Sequence, residues 1–193
     1  MLDTYVRPLA DYSPLSKLVP KVAQSGITAN QLTIVGFFIG VLACAFVMME
    51  QYAIGLILLL VNRLIDGLDG AVARLTAPTD YGRYLDIVLN TIFHAGFVFA
   101  FAFGASEYDN DGAALFLLFS YLGLTCSALA YTKPESGSPF HPASLIGGTE
   151  TFIFMVLCCL LPPNFSAFAL IFAILCWITV VGRFALASKN LQR

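Results

Sequence analysis

Six apolar runs follow one another along the chain, separated by polar breaks: Gln31–Met49, Tyr52–Val72, Tyr84–Phe103, Ala113–Tyr131, Leu145–Leu161 and Phe165–Ala187. A helix needs about 20 mainly apolar residues to cross the hydrocarbon of a bilayer. The breaks are short, as at Glu50-Gln51 and Pro162-Pro163-Asn164, or moderate, as at Gly104–Gly112 and Thr132–Ser144. Such connections favour antiparallel neighbours in one bundle with no internal domain boundary. Ahead of the first run, Leu9, Leu15, Leu18, Val19 and Val22 alternate with polar residues, and Pro8, Pro14 and Pro20 interrupt them. That pattern predicts an amphipathic interfacial segment that is broken rather than one clean helix. It serves as a tether before the first span or as a lid, and the pattern does not separate the two. The expected fold is therefore an all-α integral membrane protein. A juxtamembrane segment, residues 1–26, precedes a six-helix transmembrane domain, residues 27–193.

Composition supports the membrane class. Of 193 residues, 59% are hydrophobic and 11% charged, against about 25% charged in ordinary soluble domains. The net charge of -2 offers no basic field for nucleic acid. Asp3, Arg7, Asp11, Lys17 and Lys21 break up any apolar signal-peptide core, so the first span is expected to insert directly. Cys44, Cys126, Cys158, Cys159 and Cys176 all sit in apolar runs without metal-ligand spacing. They read as small thiols packed between helices or against lipid. With the N-terminus inside, all ten Lys and Arg fall on the cytoplasmic side, and the opposite loops hold Glu50, Glu107, Asp109 and Asp111. The positive-inside rule then places both termini in the cytoplasm.

Ionisable residues inside spans are costly and mark functional sites by default. They gather at the end of the second run, Asp66-Gly67-Leu68-Asp69-Gly70-Ala71-Val72-Ala73-Arg74, and at the start of the third, Gly82 through Asp86 to Asn90. Asp66 and Asp69 share a helix face, as do Gly82, Asp86 and Asn90. A loop over Leu75–Tyr81 would make the two helices antiparallel neighbours with these stripes facing each other near the cytoplasmic surface. Three carboxylates in one partly buried pocket repel one another unless something neutralises them. Hard divalent cations, Mg²⁺ or Mn²⁺, suit such oxygen ligands. The Gly and Ala positions leave space for a large group beside the backbone. Together these features fit transfer of a phosphoryl-type group from a nucleotide-activated donor.

The same residues resemble the signature of the CDP-alcohol phosphotransferase (CDP-alcohol phosphatidyltransferase) family, D-x2-D-G-x2-A-R, seven or eight residues, G-x3-D-x3-D. The matching positions are Asp66, Asp69, Gly70, Ala73, Arg74, Gly82 and Asp86, with a seven-residue spacer. The resemblance implies a cytoplasm-facing cavity in the cell membrane, and Mg²⁺ or Mn²⁺, two per site. It also implies a CDP-linked donor such as CDP-diacylglycerol, a small hydroxyl acceptor, release of CMP in phospholipid biosynthesis, and a homodimer among membrane lipids. Asp66, Asp69 and Asp86 become metal ligands, with Asp66 and Asp69 also beside the donor phosphates. Gly70, Ala73, Arg74 and Gly82 border the nucleotide. The Ile27–Thr33 stretch also resembles the family, so Asn30 and Thr33 either hold the nucleotide or cap the first helix.

One position departs. The fourth acidic place is Asn90, where the family has a metal-ligating general base. An amide oxygen still coordinates a cation but takes no proton near neutral pH. Three explanations stand open: a chain that binds donor and metal without efficient turnover, a substitute base, or a metal-bound acceptor needing none. His94, one turn beyond Asn90, is the candidate base, with a packing role as its alternative. Glu150, beside Gly147-Gly148, is a candidate for the acceptor pocket or for pairing with Arg183 or Arg63. Lys133, His141 and Arg183 could meet an anionic acceptor, although Lys133 and His141 also read as interfacial loop residues and Arg183 as a snorkelling one. Gly36 and Gly40 read as a close helix contact. A small channel or carrier is the reading from another class, opposed by the gathering of acids at one membrane face.

Overall fold

The computed structural model describes residues 18–104, 109–131 and 146–191, and within them all regular structure is helical. Two compact units divide these residues, one within residues 4–105 and one within 106–193.

In the first unit, α1 (Leu18–Gln24) leads to α2 (Ala29–Met48), α3 (Tyr52–Thr76) and α4 (Asp80–Gly104). Pro20 lies inside the short α1. It is tolerated there because the first turn of a helix has no use for the missing N–H. Residues 1–17 lie outside the described residues, so the expected amphipathic segment is represented by α1 alone. Helix α2 starts at a capping box: Thr28 Oγ1 accepts from the Gln31 N–H at 3.3 Å, and Gln31 Oε1 accepts from the Thr28 N–H at 2.9 Å. The cap is therefore Thr28, which corrects the option that Asn30 or Thr33 caps this helix. The loop expected over Leu75–Tyr81 shrinks to residues 77–79. Leu75 and Thr76 stay helical because nothing breaks the run before Pro78, which excludes helical backbone from the residue ahead of it. Ala77, ahead of it, leaves the helix at φ +74°. Thr79 Oγ1 then accepts from the Gly82 N–H at 3.0 Å and starts α4.

The packing of α2 organises this unit. Helices α3 and α4 each lie along α2, whereas close backbone approach of α3 to α4 is nearly absent. The stripes expected to face each other do so, Asn90 of α4 donating to Asp66 of α3 at 3.3 Å, but across a gap rather than in direct helix packing. Glycines let α2 come close to both. A Cβ on Gly36 would meet Ile65 of α3 at 3.2 Å, and one on Gly40 would meet the Phe93 ring of α4 at 2.7 Å and the Asn62 amide of α3 at 3.2 Å. Buried Asn62 donates through Nδ2 to the Gly36 carbonyl at 2.8 Å. In a membrane interior such a bond ties two helices that apolar contact alone would not distinguish from lipid. The contact expected from Gly36 and Gly40 is thus present.

The second unit holds α5 (Asp111–Tyr131), α6 (Gly148–Leu160), a 3₁₀ turn (Pro162–Asn164) and α7 (Phe165–Leu191). Its interior packs Phe154 on Phe172, ring centroids 4.6 Å apart, with Cys158, Ala173 and Cys176 fully buried. Among the described residues no disulfide joins the cysteines; Cys158, Cys159 and Cys176 are buried and Cys126 is exposed. Helix α6 starts at Gly148 rather than Leu145, because Gly147 is extended. Its 13 residues reach about 20 Å at 1.5 Å each, short of the roughly 30 Å hydrocarbon layer.

Among the described residues four helices are long and apolar enough to cross a membrane: Ala29–Met48, Asp80–Gly104, Asp111–Ala130 and Pro162–Ser188. Helix α3 has the length but carries Arg63, Asp66, Asp69 and Arg74. Large apolar side chains such as Phe38, Phe103 and Phe184 are exposed, while Asn62, Asp69 and Thr179 are buried. That inversion suits a surface covered by lipid.

Because Gly40 faces two helices at once, Gly40→Ala should destabilise the purified protein by about 1–3 kcal/mol, the usual cost of overpacking. Gly112→Ala, whose added Cβ meets nothing within 4 Å, should cost nothing. Thermal unfolding in detergent followed by circular dichroism checks both, and equal melting points would contradict the packing described.

Candidate functional site

The divergence of α3 from α4 leaves a cavity of about 420 Å³ against the N-terminal end of α2. Helix α2 contributes Asn30 and Thr33, α3 contributes Asp69, Gly70 and Ala73, and α4 contributes Gly82 and Asp86. These residues are far apart in sequence only across the 77–79 turn and the 49–51 turn, and the shared helix α2 brings them together. Gly82 is required by Asn30, whose Oδ1 stands 2.7 Å from where a Cβ would be. At Gly70 an added Cβ would meet only the Arg74 guanidinium at 3.6 Å. The small residue there opens the cavity rather than serving helix packing.

A second, much smaller void of about 10 Å³ adjoins it, bordered by Thr33, Asn62, Asp66, Asp69 and Asn90. Asp69, buried, lines both spaces. The carboxylates are held by neighbours of opposite polarity. Arg63 Nη1 donates to Asp66 Oδ2 at 2.6 Å, one turn apart on α3. Asn90 Nδ2 donates to Asp86 Oδ1 at 2.7 Å and to Asp66 Oδ1 at 3.3 Å, so it bridges α4 to α3. Thr33 Oγ1 donates to the Ala29 carbonyl at 3.0 Å, and Thr33 lines both spaces beside Asp69.

Asp69 and Asp86 present hard oxygen donors to the larger cavity, the donor type that Mg²⁺ and Mn²⁺ prefer. Among the described residues no three Asp, Glu, His or Cys side chains converge into a ready cage. The residues therefore fit a cation that takes part of its coordination from water or from a ligand's phosphates, as Mg²⁺ commonly does.

The other residues singled out from sequence fall elsewhere. Asp66 and Arg74 lie outside the larger cavity. His94 stands one turn beyond Asn90 beside the Phe93 ring, and it lines neither space. Lys133 and His141 lie outside the described residues. Glu150 Oε2 accepts from the Gly147 N–H at 3.0 Å and so closes the start of α6. Arg183 corrects an expectation: it is buried, and Nη1 donates to the Leu124 carbonyl at 2.7 Å and to Ser127 Oγ at 2.8 Å. A side chain pinned to α5 does not snorkel. Sequence reasoning missed Thr28, Thr79 and Arg83 of the larger cavity. The Thr28-x-x-Gln31 capping box was a readable signal for the first, and Arg83 lay unremarked between two motif positions.

The model of the CDP-alcohol phosphatidyltransferase family matches residues 26–185. The chain belongs to that family. It is thereby a CDP-alcohol phosphotransferase, a membrane-bound transferase of phospholipid biosynthesis. Among family relatives, the inner membrane protein YnjF of Escherichia coli (strain K12) is 40% identical over 207 residues, with both chains covered in full. The archaetidylinositol phosphate synthase of Pyrococcus horikoshii is 31% identical over 183 residues, 93% of each chain. The phosphatidylinositol phosphate synthase of Mycobacterium tuberculosis, solved with CDP-DAG bound, superposes with a TM-score of 0.73 at 21% identity. That superposition covers 89% of this chain and 92% of that one, and at such identity it shows the shared fold. The same Mycobacterium enzyme solved with manganese and citrate gives a TM-score of 0.68 at 19% identity, covering 89% of this chain and 87% of that one.

Arg183 should matter for stability. Arg183→Ala removes two hydrogen bonds from a charged donor in a buried place and leaves the Leu124 carbonyl and Ser127 without it. The expected loss is about 2 kcal/mol or more, read as a lower melting point in detergent. An unchanged melting point would free Arg183 for the acceptor role.

Proposed function

We propose that this chain transfers a phosphatidyl (phospho-alcohol) group from a CDP-alcohol, such as CDP-diacylglycerol, to a small hydroxyl acceptor and releases CMP. One observation carries the reading: Asp69, Gly70, Ala73, Gly82 and Asp86, five positions of the family signature, line one cavity. The acceptor oxygen forms a bond to the phosphorus bearing the lipid as the pyrophosphate P–O bond to CMP breaks. The acceptor's hydroxyl proton must leave in the same event. A bound Mg²⁺ or Mn²⁺ would neutralise the pyrophosphate and the departing CMP. Asp69 and Asp86 would hold it, with Asp66 and Asn90 behind them. Asn30, Thr33, Gly70, Ala73 and Gly82 would shape the nucleotide's bed, Arg83 of the cavity lining would lie toward its phosphates, and Arg74 would border it from beyond Gly70. Asp69 and Asp86 are the cavity-lining side chains able to accept a proton, and Asn90 is not.

The membrane setting is part of the proposal. Six spans in one domain over residues 27–193, with residues 1–26 at the interface, would carry the cavity at the cytoplasmic face. The one-sided Lys and Arg distribution supports this, with both termini inside. A homodimer in the cell membrane completes the reading. A second reading rests on Asn90 itself: a homologue that binds CDP-alcohol and metal with little turnover.

CMP release in mixed micelles tests both. The assay would contain CDP-diacylglycerol, Mg²⁺ or Mn²⁺, and glycerol phosphate, inositol, inositol phosphate, serine or choline as acceptor. The unmodified chain should turn over with one acceptor, and Asp69→Asn should lower the rate by at least about a hundredfold, as loss of a key electrostatic contact does. Turnover only in Asn90→Asp would favour the second reading. Turnover undiminished in Asp69→Asn would remove the basis for both.

A further inference from the structure

Three of the six carboxylate oxygens of Asp66, Asp69 and Asp86 accept hydrogen bonds from Arg63 or Asn90. A carboxamide has two N–H donors and one acceptor oxygen. The Asn90 –NH₂ gives them to Asp86 Oδ1 and Asp66 Oδ1. The opposite rotamer would turn the amide oxygen toward two anionic oxygens, which repel it, so chemistry fixes the orientation. The other oxygen of Asp66 is taken by the Arg63 guanidinium at 2.6 Å. Asp66 is thus satisfied on both sides by groups of this chain, one of them a full positive charge. The space beside Asp66 and Asn90 is about 10 Å³, room for about one water. A Mg²⁺-sized cation usually keeps several waters. Asp69 and Asp86, by contrast, face the 420 Å³ cavity.

We propose that Arg63 and Asn90 close one side of the carboxylate cluster, so that this chain holds a single divalent cation, at Asp69 and Asp86, where the family resemblance implies two. The inference rests on the metal-dependent reading given under Proposed function. Asp66 then acts as a positioning residue: through Asn90 it fixes Asp86 across the gap between α3 and α4. Replacing the amide by a carboxylate removes both N–H donors, frees one oxygen on each of Asp66 and Asp86, and puts a second, charged oxygen where the –NH₂ stood. That change should open a second cation position.

The test is a count. The purified full chain and Asn90→Asp are dialysed in detergent against Mn²⁺ with CDP-diacylglycerol present. Bound manganese per chain is then measured by atomic emission, and electron paramagnetic resonance reports coupling between ions. One uncoupled Mn²⁺ in the unmodified chain and two spin-coupled Mn²⁺ in Asn90→Asp are expected. Two in the unmodified chain would overturn the inference by itself, whether or not the variant folds, and would leave the metal-dependent reading intact. One in an Asn90→Asp protein with native circular dichroism and elution would also overturn it. No manganese in either protein would overturn the inference together with the metal-dependent reading beneath it.

Discussion

The close approach of α2 to two helices at once is the contact on which the site depends. Gly36 and Gly40 bring the α2 backbone against Ile65 and Asn62 on one side and Phe93 on the other. Asn62 secures the first contact with a buried bond to the Gly36 carbonyl. With α2 packed along both partners, α3 and α4 splay, and the splay is the cavity. Were α3 and α4 packed directly on each other, Asp69 and Asp86 would meet a protein surface instead of an open space.

Charge within this unit follows from the same geometry. The gap between α3 and α4 is spanned by side chains, and the span that the structure records is Asn90 reaching from α4 to Asp66. A carboxylate at that position would add repulsion among Asp66, Asp69 and Asp86 in the absence of a cation. An amide instead ties two of the acids together and leaves the cavity-facing pair available. The side chain that most clearly departs from the family signature is therefore also a brace between α3 and α4.

Much of this was legible in the sequence, for identifiable reasons. Apolar runs bounded by Pro and polar pairs located the helices, and the fixed spacing of Asp66, Asp69, Gly70, Ala73, Gly82 and Asp86 located the site. Helix ends were less legible. Leu75 and Thr76 are helical because only Pro78 stops α3, and α6 starts late because Gly147 is extended. The splay of α3 and α4 was not readable, since it depends on the bulk of Ile65 and Phe93 meeting Gly36 and Gly40, 29 and 53 positions away along the chain. Nor was the fate of Arg183, because an arginine near a span end snorkels or turns inward according to whether carbonyls such as that of Leu124 await it.

The most direct test of the account is a structure of the purified protein with Mn²⁺ and CDP-diacylglycerol. The account predicts anomalous density at Asp69 and Asp86, with the nucleotide in the cavity between Asn30 of α2 and Gly82 of α4. A nucleotide bound away from that cavity, or manganese at other residues, would contradict it.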